Sequence, residues 1–525
     1  MGLGITPFFR LMRAGFVFLR EGLPGLLAPP ELPPNQQFLL KILKLFERRG
    51  VAADKGQRLS EAFARLGPSY IKLGQFLATR ADVVGKDVAR TLSRLQDSLP
   101  AFPNDEAKGV VRDAFGKPVA ELFTSFGPAI AAASIAQVHK ATIIDENGEE
   151  RAFAVKVLRP GVRRRFAQDL ESYYLAARLI ERFHEPSRRL RPVAVVDTLA
   201  RSVALEMDLR LEAAALSEMA ENTANDPGFR VPGVDWTRIG RNVLTLEWID
   251  GIKLNDFEAL EKAGFDLPKL GANVIQSFLR HAMRDGFFHA DMHPGNLFVE
   301  EDGTLVAVDL GIMGRLKPDE RRFLAEILFG FIRRDYRRVS EVHFEAGYVP
   351  PHQDIDTFAQ SLRAIGEPIH GHTASEISMA RLLTQLFENT ELFDMETRPE
   401  LILLQKTMVV VEGVGRTLDP ELDMWHTSEP VVREWIEGHL GPAAMLRDTA
   451  GGVGAVGRIV RDLPMLAERA ERISADLARM GRDGFRFDAA TAEAIGKAEA
   501  RHTRSGRIAL WIIAISMAAM AFAMY

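Results

Sequence analysis

The chain has no cysteine among its 525 residues. That absence excludes a disulfide scaffold, thiolate zinc and iron–sulfur centres, and any cysteine nucleophile. It fits a reducing compartment. A large excess of charge of one sign is missing too. The net charge is −5 and the pI is near 6.2, which argues against a nucleic-acid partner for the chain as a whole. With 47% hydrophobic and 26% charged residues, wholesale disorder is excluded. The length allows two to four structural units. Long apolar runs are scarce, and the mean hydropathy is −0.04.

One such run stands out. Residues 508–525, IALWIIAISMAAMAFAMY, carry no charge. At about 1.5 Å per residue a helix of this length spans about 27 Å, close to the hydrocarbon thickness of a bilayer. Arg501, His502, Arg504 and Arg507 precede it and would keep that flank cytoplasmic. A single C-terminal anchor in the inner (cytoplasmic) membrane, with a cytoplasmic catalytic body, is the expectation; the rival is a buried terminal helix. Residues 1–34 differ: Phe8, Phe9, Phe16 and Phe18 are interrupted by Arg10, Arg13 and Arg20, and a Pro-rich linker runs from Pro24 to Pro34. Two readings stand, an interfacial amphipathic helix or a helix packed on the body.

Between these ends, residues 35–115 read as helical. Residues 131–144 and 151–160 read as two β runs around a turn at Asn147-Gly148. Residues 243–249 form a further strand candidate. Amphipathic helical patterns cover 166–183, 197–222, 267–285 and most of the chain after Asp319.

The chemistry concentrates in His289-Ala290-Asp291-Met292-His293-Pro294-Gly295-Asn296, followed by Asp309-Leu310-Gly311. The intervals Asp291–Asn296 and Asn296–Asp309 are those of the protein-kinase HxDxxxxN and DxG segments. A loop aspartate such as Asp291 can orient or deprotonate an attacking hydroxyl. The amide oxygen of Asn296 and the carboxylate of Asp309 are hard ligands suited to Mg²⁺. A hairpin between them would bring both to one place. A metal hydrolase built on His289, Asp291 and His293 is a competing reading. Upstream, Lys156 lies in the strand-like AVKV and can bind phosphates. Eighteen residues before it, Ala131-x-Ala133-x-x-Ala136-x-Val138 occupies the register of a GxGxxGxV phosphate loop, every glycine replaced by alanine. A Cβ at these positions resists positive φ and close approach to phosphate, so a stiffer loop is expected.

At these residues the chain resembles the UbiB family of atypical kinase-like proteins linked to ubiquinone biosynthesis. The resemblance covers roughly residues 66–314. It rests on Lys72-Leu73-Gly74-Gln75 for KxGQ, AAASIAQVH for the alanine-rich loop, Glu206-Met207-Asp208 for ExD, HADMHPGN and Asp-Leu-Gly. It implies an α+β, bilobal, mostly helical kinase-like fold with a helical N-terminal extension and a C-terminal transmembrane helix. The implied divisions are 1–34 amphipathic segment and linker, 35–115 KxGQ extension, 116–250 N-lobe, 251–437 C-lobe, 438–507 helical linker and 508–525 anchor.

The resemblance also implies roles. Asp291 would act as base, with Asn296 and Asp309 holding Mg²⁺ and Lys156 binding ATP phosphates while held by Glu212. From spacing alone, Glu171 would be the partner. Lys72, Gln75 and Glu206 would line an occluded pocket, with Lys72 near the phosphates or Glu206, and Asp208 of ExD would join the nucleotide site. Ala131, Ala132, Ala133, Ser134, Ala136 and Val138 would face the nucleotide, and adenine would meet a hinge from Glu247 to Ile249. Ala290 replaces the arginine of HRD and no APE follows, so protein phosphorylation is not expected. The implied activity is a membrane-bound Mg-ATPase or atypical kinase that serves ubiquinone biosynthesis. Its implied partners are ubiquinone-precursor lipids or anionic membrane lipid, and the biosynthetic enzymes. A small-molecule (polyprenyl phenol) kinase and a nucleotide-gated lipid scaffold without turnover are the rival activities. Replacing Ala131 or Ala133 by glycine should restore loop freedom and strengthen ATP binding. Unchanged nucleotide affinity in both variants would refute the stiff-loop account.

Overall fold

The computed structural model describes residues 5–22, 55–78, 99–144, 147–183, 190–367, 392–395 and 399–440, with isolated positions between these segments. Residues 1–436 form one unit and 437–525 a second, of which only 437–440 is described. The proposed span at 508–525 therefore lies outside the described residues. Among the described residues no helix is long and apolar enough to cross a membrane.

Helix α1 (Ile5–Arg20) settles one of the two readings of the N-terminus without removing the other. One face packs on the body. Ala14 is buried, and Phe18 meets Phe63 and Tyr70 at ring-centroid distances of 5.6 and 6.3 Å. Just beyond α1, the buried Glu21 pairs with Arg65 at 2.8 Å. The opposite face leaves Phe8, Phe9, Met12 and Phe16 exposed. Helices α2 (Lys55–Leu66) and α3 (Pro68–Ala78) follow, and α3 carries the KxGQ segment. The N-terminal part of α4 (Asn104–Phe115) is reached through the strap 99–103.

Strands β1 (Ser125–Ala132), β2 (Ala136–Ile144), β3 (Glu150–Leu158) and β5 (Val243–Glu247) form an antiparallel sheet in that order. The two-residue period of β3 divides its side chains. Val155 and Val157 are fully buried against Ala107 and Val111 of α4. Lys156, between them, points to the opposite face, in register with Val138 of β2 and Leu244 of β5. The single run expected over 131–144 is two strands. The Ala133 amide donates to the Ala136 carbonyl at 2.8 Å and closes a tight turn between β1 and β2.

After β3 the chain inserts two helices, α5 (Val162–Phe183) and α6 (Pro192–Glu206), before α7 (Leu209–Thr223). The single helix expected over 197–222 breaks at Met207-Asp208, because Asp208 leaves helical geometry and its side chain caps α7 by accepting from the Arg210 amide. The extension rests on α5. The Ser69 hydroxyl donates to Asp169, Tyr70 stacks edge-on against Tyr173 at 5.2 Å, and Arg165 donates to the Leu66 carbonyl at 2.7 Å.

A second sheet joins β4 (Phe229–Arg230), β9 (Leu305–Ala307), β8 (Leu297–Val299) and β6 (Ile252–Lys253) in spatial order. Helix α8 (Leu267–Arg280) ends in one π-helical turn, His281–Asp285. Gly286 closes that turn at φ 64°, where a Cβ would lie 2.5 Å from the Leu316 carbonyl oxygen. Strand β7 (Phe287–His289) then pairs with β10 (Met313–Arg315). A Cβ on Gly314 would fall 2.1 Å from the Phe288 ring, so glycine allows the pair to close. Helices α9 (Pro318–Arg333), α10 (Tyr336–Glu345), α11 (Ile355–Gly366), α12 (Pro399–Leu418) and α13 (Met424–Leu440) complete the described chain.

Asp226, after α7, ties this helix to the π turn. It is buried and accepts from His281 Nε2 at 3.1 Å and from Arg284 Nη2 at 3.2 Å. Burial pushes its carboxyl up, but the hydrogen bonds and the Arg284 charge outweigh this and hold it well below the usual carboxylate range. A depressed acid contributes stability that is present above its unfolded value near 4 and is lost as pH falls. Asp226→Ala should lower unfolding free energy by about 3 kcal/mol at pH 7, with the difference shrinking below about pH 4. Denaturant titration at both pH values checks this, and an equal loss at both would refute the linkage.

Candidate active site

Lys156 is the centre of the site. Its ammonium donates to both oxygens of Glu212, on the first turn of α7, at 2.8 and 2.9 Å, and to Asp309 Oδ2 at 3.1 Å. Glu212 lies 56 positions downstream because α5 and α6 intervene. Glu171, the partner that spacing alone favoured, is instead exposed on α5 and stands 3.6 Å from Arg10. Burial pushes the Lys156 ammonium down, but Asp309 and Glu212 together hold it above its ordinary value. Glu212 goes the other way. Burial, with the charges of Asp309 and Glu206, exceeds the pull of Lys156 and brings its carboxyl up to about 7. Asp309 stays ionised at about 2, since the Lys156 charge and the Gly311 amide, which donates at 3.0 Å, outweigh desolvation.

The KxGQ helix enters the same charge cluster. Lys72 of α3 is buried and pairs with Glu206 at the end of α6. Glu206 in turn acts on Glu212. Gln75 follows on α3, half-buried and three positions after Lys72. The Asp208 carboxylate is taken by Arg210 at 2.7 Å and by Arg241 at 3.5 Å.

The loop after β7 supplies the second half of the site. The Asp291 amide donates to His289 Nδ1 at 3.0 Å, and the Asn296 side-chain amide donates to the Asp291 carbonyl at 3.2 Å. His289 is buried, which lowers its pKa and keeps it neutral. The β8–β9 hairpin pairs Leu297 with Ala307, and the Val308 amide donates to the Asn296 carbonyl at 3.0 Å. The hairpin thus sets Asn296 opposite Val308, the residue before Asp309. Among the described residues no group of three His, Asp or Glu side chains gathers to hold a metal. The metal-hydrolase reading fails on this point, since the His289 and His293 Nδ1 atoms accept backbone amides of their own loop.

Of the alanine-rich segment, Ala131 and Ala132 end β1, Ser134 is buried in the turn, and Ala136 and Val138 lie in β2. Arg159 holds the turn, donating from Nε and Nη2 to the Ala133 carbonyl at 3.2 and 2.9 Å, and from Nη2 to Pro100 O at 2.9 Å. At the hinge, the Glu247 carboxylate is bound by Arg230 at 2.9 Å and by the Gly233 amide at 2.9 Å. The Glu247 and Trp248 amides donate to Gly233 O and Ala152 O. Ile249 is buried just beyond.

Two residues escaped the sequence reading. Thr407 of α12 donates to the Ala290 carbonyl at 3.0 Å, and Lys406 Nζ stands 3.9 Å from Asp291 Oδ1. They lie over a hundred positions from the loop, in a helix with no recognised motif.

A strand lysine clasped by a helix glutamate, above a loop and hairpin that converge on it, is the architecture of a kinase-like protein. Residues 94–343 match the ABC1 atypical kinase-like domain, and residues 362–423 match the UbiB helical domain. A Marinobacter nauticus protein named "Probable protein kinase UbiB" is 41% identical over 450 residues, covering 84% of this chain and 81% of its own. A protein of the same name from Pseudomonas fluorescens (strain Pf0-1) is 37% identical over 468 residues, covering 88% and 86%. The chain belongs to the UbiB family. A chain in the solved Rv3197–erythromycin complex from Mycobacterium tuberculosis is 23% identical, with a TM-score of 0.49 over 76% of this chain and 98% of that one.

If neighbouring charges set the acidity of Glu212, its carboxyl should titrate near pH 7. Asp309→Asn should move the midpoint down and Lys156→Met should move it up. Carbon-13 titration of the labelled side chain reads this directly. A midpoint unmoved in both variants would refute the account.

Proposed function

We propose that this protein is a membrane-associated, Mg-ATP-dependent atypical kinase-like ATPase that supports ubiquinone biosynthesis. The observation that carries the reading is Lys156 held between Glu212 and Asp309, with Asn296 set by one hairpin opposite Val308, the residue before Asp309. ATP would enter under the β1–β2 turn, its adenine at the hinge near Glu247 and Ile249. Lys156 would exchange Asp309 for phosphate oxygens while Glu212 keeps it in place. Asp291 would accept the proton of the attacking oxygen.

The donor set fits magnesium. Asn296 commits its NH₂ group to the Asp291 carbonyl, which leaves the amide oxygen as its metal-facing group. Asp309 is an ionised hard-oxygen ligand. Bound there, Mg²⁺ would neutralise phosphate charge. The Lys72–Glu206 pair would cover the cleft on the extension side and keep a peptide acceptor out.

Membrane association draws on two features. Residues 508–525 have the length and composition of a span. Helix α1 exposes Phe8, Phe9, Met12 and Phe16, and beside it a cavity of about 410 Å³ is lined by Arg10, Arg13, Arg164 and Arg165 among others. An apolar ridge edged by arginine suits an anionic lipid surface. The lipid-soluble precursors of ubiquinone, and the enzymes that process them, would be met there.

Phosphate release by the purified full chain, with and without anionic vesicles and a ubiquinone-like phenol, tests the reading. Asp309→Asn should lose Mg-ATP binding, and Asp291→Asn should bind ATP but lose turnover and fail to restore ubiquinone production. Phosphate transfer to the phenol without free phosphate would replace the ATPase by a small-molecule kinase. Full complementation by Asp291→Asn would replace it by a scaffold.

A further inference from the structure

Lys406 belongs to neither the KxGQ extension nor the kinase-like segments. It comes from α12, within the stretch matched by the UbiB helical domain. Its Nζ lies 3.9 Å from Asp291 Oδ1, close enough for charge attraction but beyond a hydrogen bond. The two side chains are 43% and 40% exposed. A pair this open adds little to stability, so stability does not account for the placement.

The backbone that carries the lysine is nevertheless held in place. Its neighbour Thr407 is buried and donates to the Ala290 carbonyl at 3.0 Å and to the Leu403 carbonyl at 2.8 Å. The backbone of α12 is thereby tied to the residue preceding Asp291. Its other side packs along α8, where Gly271 approaches Gly415. The ammonium is carried on a rigid element up to the carboxylate and left accessible.

The charge inventory shows what it could do there. Lys156 is committed to Glu212 and Asp309 on the nucleotide side. In the loop itself Ala290 is buried and apolar, and His293 Nδ1 accepts the Gly295 amide. Among the described residues, Lys406 is the cation in ion-pair range of Asp291. Phosphoryl transfer spreads negative charge over three oxygens while the acceptor approaches in line, and catalysis rests on positive groups placed around it.

We infer that Lys406 is a further catalytic residue, supplying positive charge to the transferring phosphoryl group on the acceptor side, beside Asp291. The inference rests on the ATP-turnover reading above. A water oxygen forms a bond to the γ-phosphorus as the bond to the β,γ-bridging oxygen breaks, and ADP leaves with that electron pair. The water proton passes to Asp291 and then to solvent, and inorganic phosphate is released. Lys406 stays protonated throughout and contacts non-bridging oxygens.

The test uses the full chain in lipid nanodiscs, measuring phosphate release, fluorescent-nucleotide affinity and thermal midpoint together. Lys406→Met should lower kcat about 100-fold with nucleotide Kd within about twofold of wild type and an unchanged midpoint. Lys406→Arg should recover at least tenfold of that loss. Thr407→Val, which loosens the helix but keeps the cation, should have a smaller effect on kcat than Lys406→Met. An unchanged kcat in Lys406→Met overturns the inference alone. A matching loss of nucleotide affinity or of thermal midpoint makes the lysine structural and also overturns it. A wild-type chain that binds no Mg-ATP, or binds it without turnover, overturns the ATP-turnover reading and the inference with it.

Discussion

The cost of keeping one ammonium out of water organises this protein. An isolated buried charge is expensive enough that a lysine would normally neutralise. Lys156 avoids this because two carboxylates reach it from different parts of the chain, Glu212 from α7 and Asp309 from the turn after β9. Glu212, buried and bound through both oxygens, is the carboxylate that depends on the lysine in turn. Asp309 is more open and also accepts the Gly311 amide, so the pair of β3 and α7 is the part held in one geometry by this requirement.

The rest of the architecture serves this cluster. β3 sends Val155 and Val157 into the core, and strand alternation leaves Lys156 no choice of face. The insertion of α5 and α6 does more than lengthen the path to Glu212. It builds the platform on which the KxGQ helix lies, through Ser69–Asp169 and Tyr70–Tyr173. Because α6 ends at Glu206, the same insertion presents the residue that receives Lys72. The extension is thus read by the site as charge as well as bulk, since Glu206 contributes to the raised acidity constant of Glu212.

Legibility in the sequence followed the range of each interaction. The Asn147-Gly148 turn, the β3 lysine and the hairpin joining Asn296 to Asp309 depend on neighbours close along the chain, and motif spacing located them. The β1–β2 turn was legible only through the register of its alanines with a phosphate loop, because alanine carries no turn signal and the strand pattern runs straight through; the backbone bond from Ala133 to Ala136 makes it. The break at Asp208 was hidden for a related reason. Its ExD position suggested the nucleotide site and gave no sign that its carboxylate serves as a helix cap and meets Arg210 and Arg241. Glu212 could be chosen over Glu171 only by resemblance, because nothing in the spacing reveals that two helices intervene. Lys406 and Thr407 were invisible, since only tertiary packing of α12 brings them to the loop.

The alanine-rich turn shows why such long-range contacts matter. Alanine stiffens a loop by denying it positive φ, and that much follows from composition. Here the turn is also pinned from outside. Arg159 donates to the Ala133 carbonyl and, with the same guanidinium, to Pro100 in the strap leading from the extension. Gln137 at the start of β2 accepts the Phe102 amide at 2.9 Å from that strap. The turn over the cleft and the exit of the KxGQ extension therefore share a clamp. A Cβ restricts only its own residue, whereas this clamp makes any opening of the turn require movement of the strap. The stiffness of the loop is thus a property shared with the extension, and the loss of glycine is one part of it.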